Sequence, residues 1–203
     1  FGDVSAFSMH PLKSLNVMGD GGMVLTDDQD YASWMLKYRN HGMVDRDNID
    51  FWGVNMRLQP LQAIVASIGL DKLEQVLQKR RANVKQLDAE LSNLIFLGHI
   101  HLPERIESYQ ETCALFMGLF NDRDRLKKFL YDKGIETKIH YPKPLHLQKA
   151  SQFGCIFDKN DMKKSEYQAP RLLTLPVHQF LGEKEIKYIS DNINMFYKNN
   201  SDI

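Results

Sequence analysis

Short apolar runs bounded by turn-forming residues mark the start of the chain. Residues 4–7 and 22–26 are two such runs, and glycine, aspartate and proline flank them. Apolar runs of this length between such flanks are typical of buried β-strands. The pattern therefore predicts two buried strands, with a loop over residues 10–21 between them.

The next two segments repeat their apolar positions at the spacing of a helix. Residues 28–39 do so after an aspartate-rich start that suits an N-cap, which predicts a surface helix. Residues 61–91 keep a period of roughly 3.6 residues, and Pro60 is allowed in a first helical turn. This longer stretch fits one long helix or two helices in series.

Near residue 95 the pattern changes to that of a small α/β domain. Further apolar runs predict strands over residues 100–102, 113–120, 138–141 and 172–177. Amphipathic segments predict a helix over residues 122–133, which Gly134 ends, and a closing helix over residues 183–197. The chain is therefore predicted to divide into residues 1–94 and residues 95–203.

Composition and charge narrow the kinds of partner. The 203 residues are 43% apolar, which allows a sizeable core, and 26 basic residues balance 26 acidic ones. This balance argues against nucleic acid and acidic membranes as binding partners. The sequence has no run of about 18 apolar residues, so no membrane span is predicted. The two cysteines lack CxxC or zinc-type spacing, so a reducing cytoplasm is the simpler location. His99 and His101 lack a third ligand, so no metal site is predicted.

The densest group of reactive side chains lies at the first loop. Ser8, His10 and Lys13 stand there, ahead of Gly21-Gly22 and the second strand. A lysine amine attacks a carbonyl only when it is unprotonated, and a loop between two buried strands would desolvate it. A serine hydroxyl can bind a phosphate oxygen, and glycines let the backbone approach a flat ring. These are the needs of pyridoxal phosphate, although a loop lysine taken alone is usually a solvated charge.

The order of these residues resembles the DegT/DnrJ/EryC1/StrS family of sugar aminotransferases. The family's lysine segment reads G-D-x-x-x-F-S-F-H-P-x-K and is followed by G-D-G-G. The matching residues here are Gly2-Asp3, Phe7-Ser8-Met9-His10-Pro11, Lys13 and Gly19-Asp20-Gly21-Gly22. Met9 replaces a residue that is commonly aromatic. The resemblance continues through Arg39-Asn40-His41-Gly42, Gly53-Val54-Asn55-Met56-Arg57-Leu58 and Leu61-Gln62-Ala63, and covers essentially the whole chain.

The resemblance implies a site for pyridoxal 5'-phosphate. Lys13 is the implied catalytic residue, which holds the cofactor as a Schiff base and moves the proton. Ser8 and His10 are implied to bind the cofactor from the same loop. Asn55 stands where the family's asparagine reaches across a dimer interface to the cofactor phosphate, so the implied unit is a homodimer with a shared active site. Arg57 is assigned to substrate binding, and its planar fork suits an acidic side chain or a phosphate across the interface.

A second motif lies in the predicted small domain. Residues 139–148 resemble the family's H-Y-P-x-P-L-H-x-Q stretch, which lies close to the substrate. The resemblance implies that His140 and Tyr141 bind the substrate. A histidine and a tyrosine at a strand end can equally be satisfied packing residues. Pro176 and His178, in the family's last strand, are interpreted as structural.

The implied fold is the aspartate aminotransferase-like fold type I of pyridoxal-phosphate-dependent transferases, in incomplete form. Residues 1–94 would be the last part of the large cofactor domain with its connecting helix, and residues 95–203 the small C-terminal α/β domain. The chain starts without methionine at a predicted core strand. We therefore expect a preceding segment that carries the aspartate paired with the pyridine nitrogen.

The implied activity transfers an amino group, with glutamate as donor, to a nucleotide-linked keto sugar. The amino sugar would serve surface polysaccharide, lipopolysaccharide or related glycan biosynthesis. Two alternatives stay open. A pyridoxamine-dependent sugar dehydratase carries histidine in place of the lysine, and Lys13 argues against it. A non-catalytic homologue or scaffold would keep the fold without the cofactor pocket.

Overall fold

The structure is a computed structural model that describes residues 2–154 and 158–200. The chain forms two compact units, Phe1–Val76 and Leu77–Ile203. This division by contacts falls earlier than the predicted domain boundary between residues 94 and 95, which stays a prediction. None of the described helices combines the length and the apolarity that a membrane span needs.

The first unit begins with a two-stranded antiparallel ribbon. Strand β1, Ser5–Ser8, pairs with β2, Gly22–Leu25, with Ser5 opposite Leu25. Both strands are where the pattern predicts them, but the prediction that they are buried is wrong. All of β2 is exposed, and Phe7 in β1 is 51% exposed. A ribbon presents two faces, and no described element of this unit buries either of them.

Three helices follow the ribbon along the chain. Helix α1, Gln29–Tyr38, begins where Asp28 accepts hydrogen bonds from the backbone N–H groups of the first turn, as its aspartate-rich start predicts. Helix α2, Pro60–Asp71, and helix α3, Leu73–Glu90, are separated by Lys72. The long apolar repeat therefore forms two helices in series, which is one of the two predicted outcomes.

The second unit is built on a three-stranded antiparallel sheet. Strands β3, Ile100–His101, β4, Phe116–Phe120, and β5, Leu172–Leu175, lie in the order β3-β4-β5. The helices assigned here are α4, Ser92–Phe96, α5, Arg123–Asp132, α6, Lys163–Gln168, and α7, Glu183–Lys198. Alternate residues of β4 are buried, and they join one hydrophobic core with side chains of α3, α5 and α7.

The predicted strands over residues 113–120 and 172–177 are shorter than their apolar runs, and the one over residues 138–141 does not form. Strand β4 starts at Phe116 because Cys113, at φ 48°, leaves the extended conformation. Strand β5 ends before Pro176, which has no N–H for a ladder. Residues 138–141 form no regular strand. Lys138 exchanges two backbone hydrogen bonds with Thr174 in an isolated bridge, and no further ladder bond follows in the described chain.

Candidate active site

The loop that carries Lys13 is closed at its base by backbone hydrogen bonds and an apolar plug. The Met9 N–H donates to the Gly21 carbonyl at 2.8 Å, and the Val17 N–H donates to the Met9 carbonyl at 3.1 Å. Met9 and Val17 are 3% and 1% exposed, the lowest values among the hydrophobic side chains of the first unit's described residues. The replacement of the family's aromatic residue by Met9 thus keeps an apolar side chain at the base of the loop.

The tip of the loop is ordered by short-range hydrogen bonds. The Lys13 N–H donates to the His10 carbonyl at 2.8 Å, and the Leu12 N–H donates to His10 Nδ1 at 3.2 Å. The His10 N–H donates to Ser8 Oγ at 3.4 Å. Because Nδ1 accepts a hydrogen bond, the neutral His10 ring carries its proton on Nε2. Ser8, His10 and Lys13 therefore share one local structure, as the sequence predicts.

Lys13 itself is exposed, as is the turn around it. The expectation that two buried strands would desolvate its amine is therefore wrong for this chain. The physical reason is the bare ribbon, because a loop is enclosed only when the strands beside it are covered.

The two glycines that end the loop are required by packing. A Cβ atom on Gly21 would lie 2.5 Å from Val17 Cγ2 and 3.1 Å from Leu58 Cδ1. A Cβ atom on Gly22 would lie 3.0 Å from the Phe7 carbonyl oxygen. The sequence alone suggested that these glycines let the backbone approach a cofactor. The structure shows that side chains of the same unit already occupy the space beside Gly21.

A second polar group lies on the segment before α2. The Arg57 guanidinium donates from Nε to Asn55 Oδ1 at 3.0 Å and from Nη1 to Asn40 Oδ1 at 3.1 Å. The partners of Arg57 in the described chain are thus two amides rather than an acidic side chain. Asn40, to which the sequence reasoning assigned no role, is part of this group. Its place in the Arg39-Asn40-His41-Gly42 motif was the signal that could have identified it.

Residues that follow Arg57 along the chain contact the end of the Lys13 loop. The Gln62 side chain in α2 donates to the Asp20 carbonyl at 3.0 Å, and Leu58 lies against Gly21.

Ser14, next to Lys13, has an enclosed hydroxyl without a hydrogen-bond partner among the described residues. Such an enclosed hydroxyl costs about 1–3 kcal/mol unless a ligand or water satisfies it. The loop thus has an unused polar atom beside the lysine.

His140 and Tyr141 belong to the second unit, whereas the other candidate residues belong to the first. His140 Nδ1 lies 2.9 Å from the hydroxyl of buried Thr174, which is the satisfied packing arrangement left open by the sequence. Tyr141 is 73% exposed. Their assignment to substrate binding stays a prediction. Within the described residues, no group of three or more histidine, cysteine and acidic side chains could hold a metal ion.

Fold and loop together define the class of protein. The α/β fold of the chain matches that of solved DegT/DnrJ/EryC1/StrS aminotransferases, of which it covers about half. The model of the DegT/DnrJ/EryC1/StrS aminotransferase family matches residues 1–194, and the chain belongs to that family. The predicted family and fold class are confirmed.

Similar proteins of known name match nearly all of this chain but only about half of their own length. The dTDP-3-amino-3,4,6-trideoxy-alpha-D-glucose transaminase of Streptomyces venezuelae is 34% identical over 94% of this chain and 49% of its own length. The UDP-N-acetyl-3-dehydro-alpha-D-glucosamine 3-aminotransferase of Acidithiobacillus ferrooxidans is 32% identical over 94% of this chain and 50% of its own. The solved structure of S. venezuelae DesV with a ketimine intermediate is 31% identical in sequence and has a TM-score of 0.88. The match covers 96% of this chain and 52% of the DesV chain. The chain spans about half the length of the curated relatives it matches.

The residues present fit pyridoxal phosphate by chemical type. Lys13 has a primary amine that can react with the aldehyde, and Ser8, His10 and Asn55 have side-chain donors that can bind a phosphate. The unsatisfied hydroxyl of Ser14 is a further polar atom at the same loop.

Proposed function

We propose that this chain is part of a pyridoxal-phosphate-dependent aminotransferase that converts the keto group of a nucleotide-linked sugar into an amino group. The observation that carries the proposal is the position of Lys13. It stands at the family's lysine position, on a loop closed by Met9 and Val17, with Ser8 and His10 folded onto the same turn.

Lys13 Nζ acts as the proton carrier in this mechanism. When bound, pyridoxal phosphate supplies an electron sink that stabilises negative charge on the substrate carbon. The Lys13 amine removes a proton from that carbon as a general base and returns a proton to the product as a general acid. The turn between His10 and Lys13 holds the lysine backbone in place while the side chain moves. Ser8, His10 and Asn55 bind and orient the cofactor.

The substrate and the assembly follow from the family. The similar proteins named above act on dTDP-linked and UDP-linked sugars, which supports a nucleotide-linked keto sugar. His140 and Tyr141 bind that substrate, and glutamate donates the amino group. The product enters surface polysaccharide or related glycan biosynthesis. The working unit is a cytoplasmic homodimer in which Asn55 reaches the partner's cofactor.

A non-catalytic scaffold is the second candidate. The exposure of Lys13 and of the β1-β2 ribbon favours it, because a lysine that forms a Schiff base needs a site that is shielded from water. It predicts a folded protein with no covalent cofactor.

One experiment separates the two candidates. The protein as its gene encodes it is mixed with pyridoxal phosphate, its absorbance is recorded before and after borohydride reduction, and the labelled peptide is mapped. We expect a cofactor band, a label on Lys13, and a shift of the band with glutamate. A folded protein without a band or a label supports the scaffold instead.

The Lys13→Ala variant tests the role of the lysine. We expect turnover to fall by about 10²–10⁴-fold or more, because the general base and acid is removed. Far-UV circular dichroism should not change, since an exposed loop side chain contributes little packing. The control is Lys72→Ala, an exposed lysine between α2 and α3, which should keep its turnover. Unchanged turnover in Lys13→Ala would disprove the assignment.

A further inference from the structure

Asn40, Asn55 and Arg57 form one polar cluster on a short β-bridge of the first unit. Asn40 and Asn55 are the paired residues of an isolated antiparallel bridge. The hydrogen bonds lie on either side of the pair, from the His41 N–H to the Val54 carbonyl and from the Met56 N–H to the Arg39 carbonyl, both at 2.9 Å. Residues paired in this way bring their side chains close together on one face. The two amides therefore meet the same guanidinium.

Arg57 decides which way the two amides point. An arginine can only donate hydrogen bonds, whereas an asparagine side chain has one accepting oxygen and one donating NH₂ group. Because Arg57 donates to Oδ1 of both Asn55 and Asn40, it directs both oxygens toward itself. Each Nδ2 group is then turned away from the guanidinium. Within the described residues neither Nδ2 group has a hydrogen-bond partner.

The cluster carries an uncompensated positive charge. Across residues 2–154 and 158–200, no carboxylate forms an ion pair with Arg57. Asp50, a carboxylate of the same unit, is paired with Lys37. A cationic group beside two amide NH₂ groups that have no partner in the described residues is suited to an anion such as a phosphate.

We propose that Arg57 is a positioning residue that orients the Asn55 amide toward a phosphate, and that Asn40 braces Arg57. The inference rests on the proposed function, in which Asn55 binds the cofactor phosphate. It departs from the direct roles that the sequence suggested for Arg57, since the guanidinium acts through the amide it holds. Without that hold, the Asn55 oxygen and nitrogen exchange places, and the oxygen repels the phosphate.

A comparison of two ligands isolates this role. Dissociation constants for pyridoxal phosphate and for pyridoxal, which lacks the phosphate, are measured on the protein as its gene encodes it. The variants are Arg57→Lys, which keeps the charge and loses the fork, Asn55→Ala, and the double variant. We expect Arg57→Lys to weaken pyridoxal phosphate binding about tenfold and to leave pyridoxal binding unchanged. The control is Arg46→Lys, another exposed arginine of the same unit, which should change neither constant.

The double variant decides between indirect and direct contact. If Arg57 acts through Asn55, Arg57→Lys in the Asn55→Ala background causes no further loss. Additive losses mean that Arg57 contacts the phosphate itself, and this outcome overturns the inference. Equal losses for the two ligands mean a merely structural role, which also overturns it. Asn40→Ala, which removes only the brace, should give a smaller loss of about threefold that is again confined to the phosphate ligand.

A titration with inorganic phosphate keeps the inference testable apart from the proposed function. The side-chain NH₂ resonance of Asn55 is followed by NMR as phosphate is added. We expect a shift in the unsubstituted protein and in Arg46→Lys, and none in Arg57→Lys. If Lys13 takes no borohydride label but the Arg57-dependent shift appears, the proposed function fails and the orienting role stands. If the label appears and the shift does not depend on Arg57, the inference fails and the proposed function stands.

Discussion

The two compact units bury their apolar side chains to very different degrees. In the second unit, side chains from α3, α5, α7 and the sheet form one closed core, with Phe116, Phe120 and Leu87 fully buried. In the first unit, Met9 and Val17 are the buried hydrophobic side chains among the described residues. The candidate chemistry nevertheless lies mainly in the first unit. The second unit thus has a closed hydrophobic core, whereas the first unit carries most of the candidate reactive side chains.

Two helices show the same difference. Helix α2 is the more apolar in sequence, yet it has no buried residue, and Leu61 is 77% exposed. Helix α7 mixes charged and apolar residues, and its apolar face lies in the core with Ile186 and Ile193 fully buried. An apolar pattern shows which face can be buried. Whether that face is buried depends on another layer that packs against it.

The largest expected effect comes from the core of the second unit. Phe116→Ala should lower the free energy of unfolding by about 3–5 kcal/mol, because it leaves a cavity where the ring is fully enclosed. Urea unfolding followed by far-UV circular dichroism measures it. The matched change in the first unit is Phe7→Ala, on the exposed ribbon, and should cost less than about 1 kcal/mol. If both variants lose the same unfolding free energy, the ribbon is covered in solution, and the two units do not differ in burial as described.

A buried charge in the second unit gives the next effect. Arg80 is 7% exposed and donates to Gln179 Oε1 at 3.0 Å and to the carbonyls of Cys113 and Ala114 at 3.4 and 3.1 Å. Desolvation by burial lowers the pKa of Arg80. Arg80→Ala should lower the unfolding free energy by about 2–3 kcal/mol, since the acceptors lose their donor. The exposed neighbour Lys79→Ala should change it by less than about 0.5 kcal/mol.

A matched pair of glycines compares local structure in the two units. Gly42 and Gly134 both have φ 74°, which costs other residues about 1 kcal/mol or more. A Cβ on Gly134 would meet open space, whereas one on Gly42 would collide with the Phe51 carbonyl. Gly134→Ala should therefore cost about 1 kcal/mol, and Gly42→Ala should cost more.

The tryptophans allow the first unit to be followed separately. Both tryptophans of the chain, Trp34 and Trp52, lie in the first unit, so their fluorescence reports that unit alone. Gly42→Ala should shift the fluorescence-detected unfolding transition, and Gly134→Ala should not. If Gly134→Ala shifts it as well, the two units unfold together.

The smallest effect is expected at Tyr197, where pH provides the test. Its hydroxyl donates to the Asn121 carbonyl at 2.7 Å, and burial raises the pKa of Tyr197 well above its ordinary value. Tyr197→Phe should cost about 1 kcal/mol at neutral pH. The folded state keeps the proton while the unfolded chain ionises above about pH 10, so this contribution is full below pH 10 and is lost as pH rises. Unfolding free energies of both proteins between pH 8 and 11 should converge, and a constant difference would contradict the assignment.

Much of the candidate site could be predicted from the order of residues. The turn around Lys13 is local, and its hydrogen bonds join Ser8, His10 and Lys13 within a few positions, so a sequence motif contains all of its parts. The cluster at Arg57 is different. Asn40 and Arg57 are 17 positions apart and meet only because a β-bridge pairs Asn40 with Asn55. No periodicity in the sequence indicates that pairing.

The sequence by itself determined the family, the position of the lysine and most of the places where strands and helices form, because these depend on local spacing and on the chemistry of single residues. Tertiary structure alone decided which apolar faces are buried, which side chains restrict Gly21, and which amides accept hydrogen bonds from Arg57. These properties depend on groups that are distant along the chain, and only the packed arrangement brings such groups within contact distance.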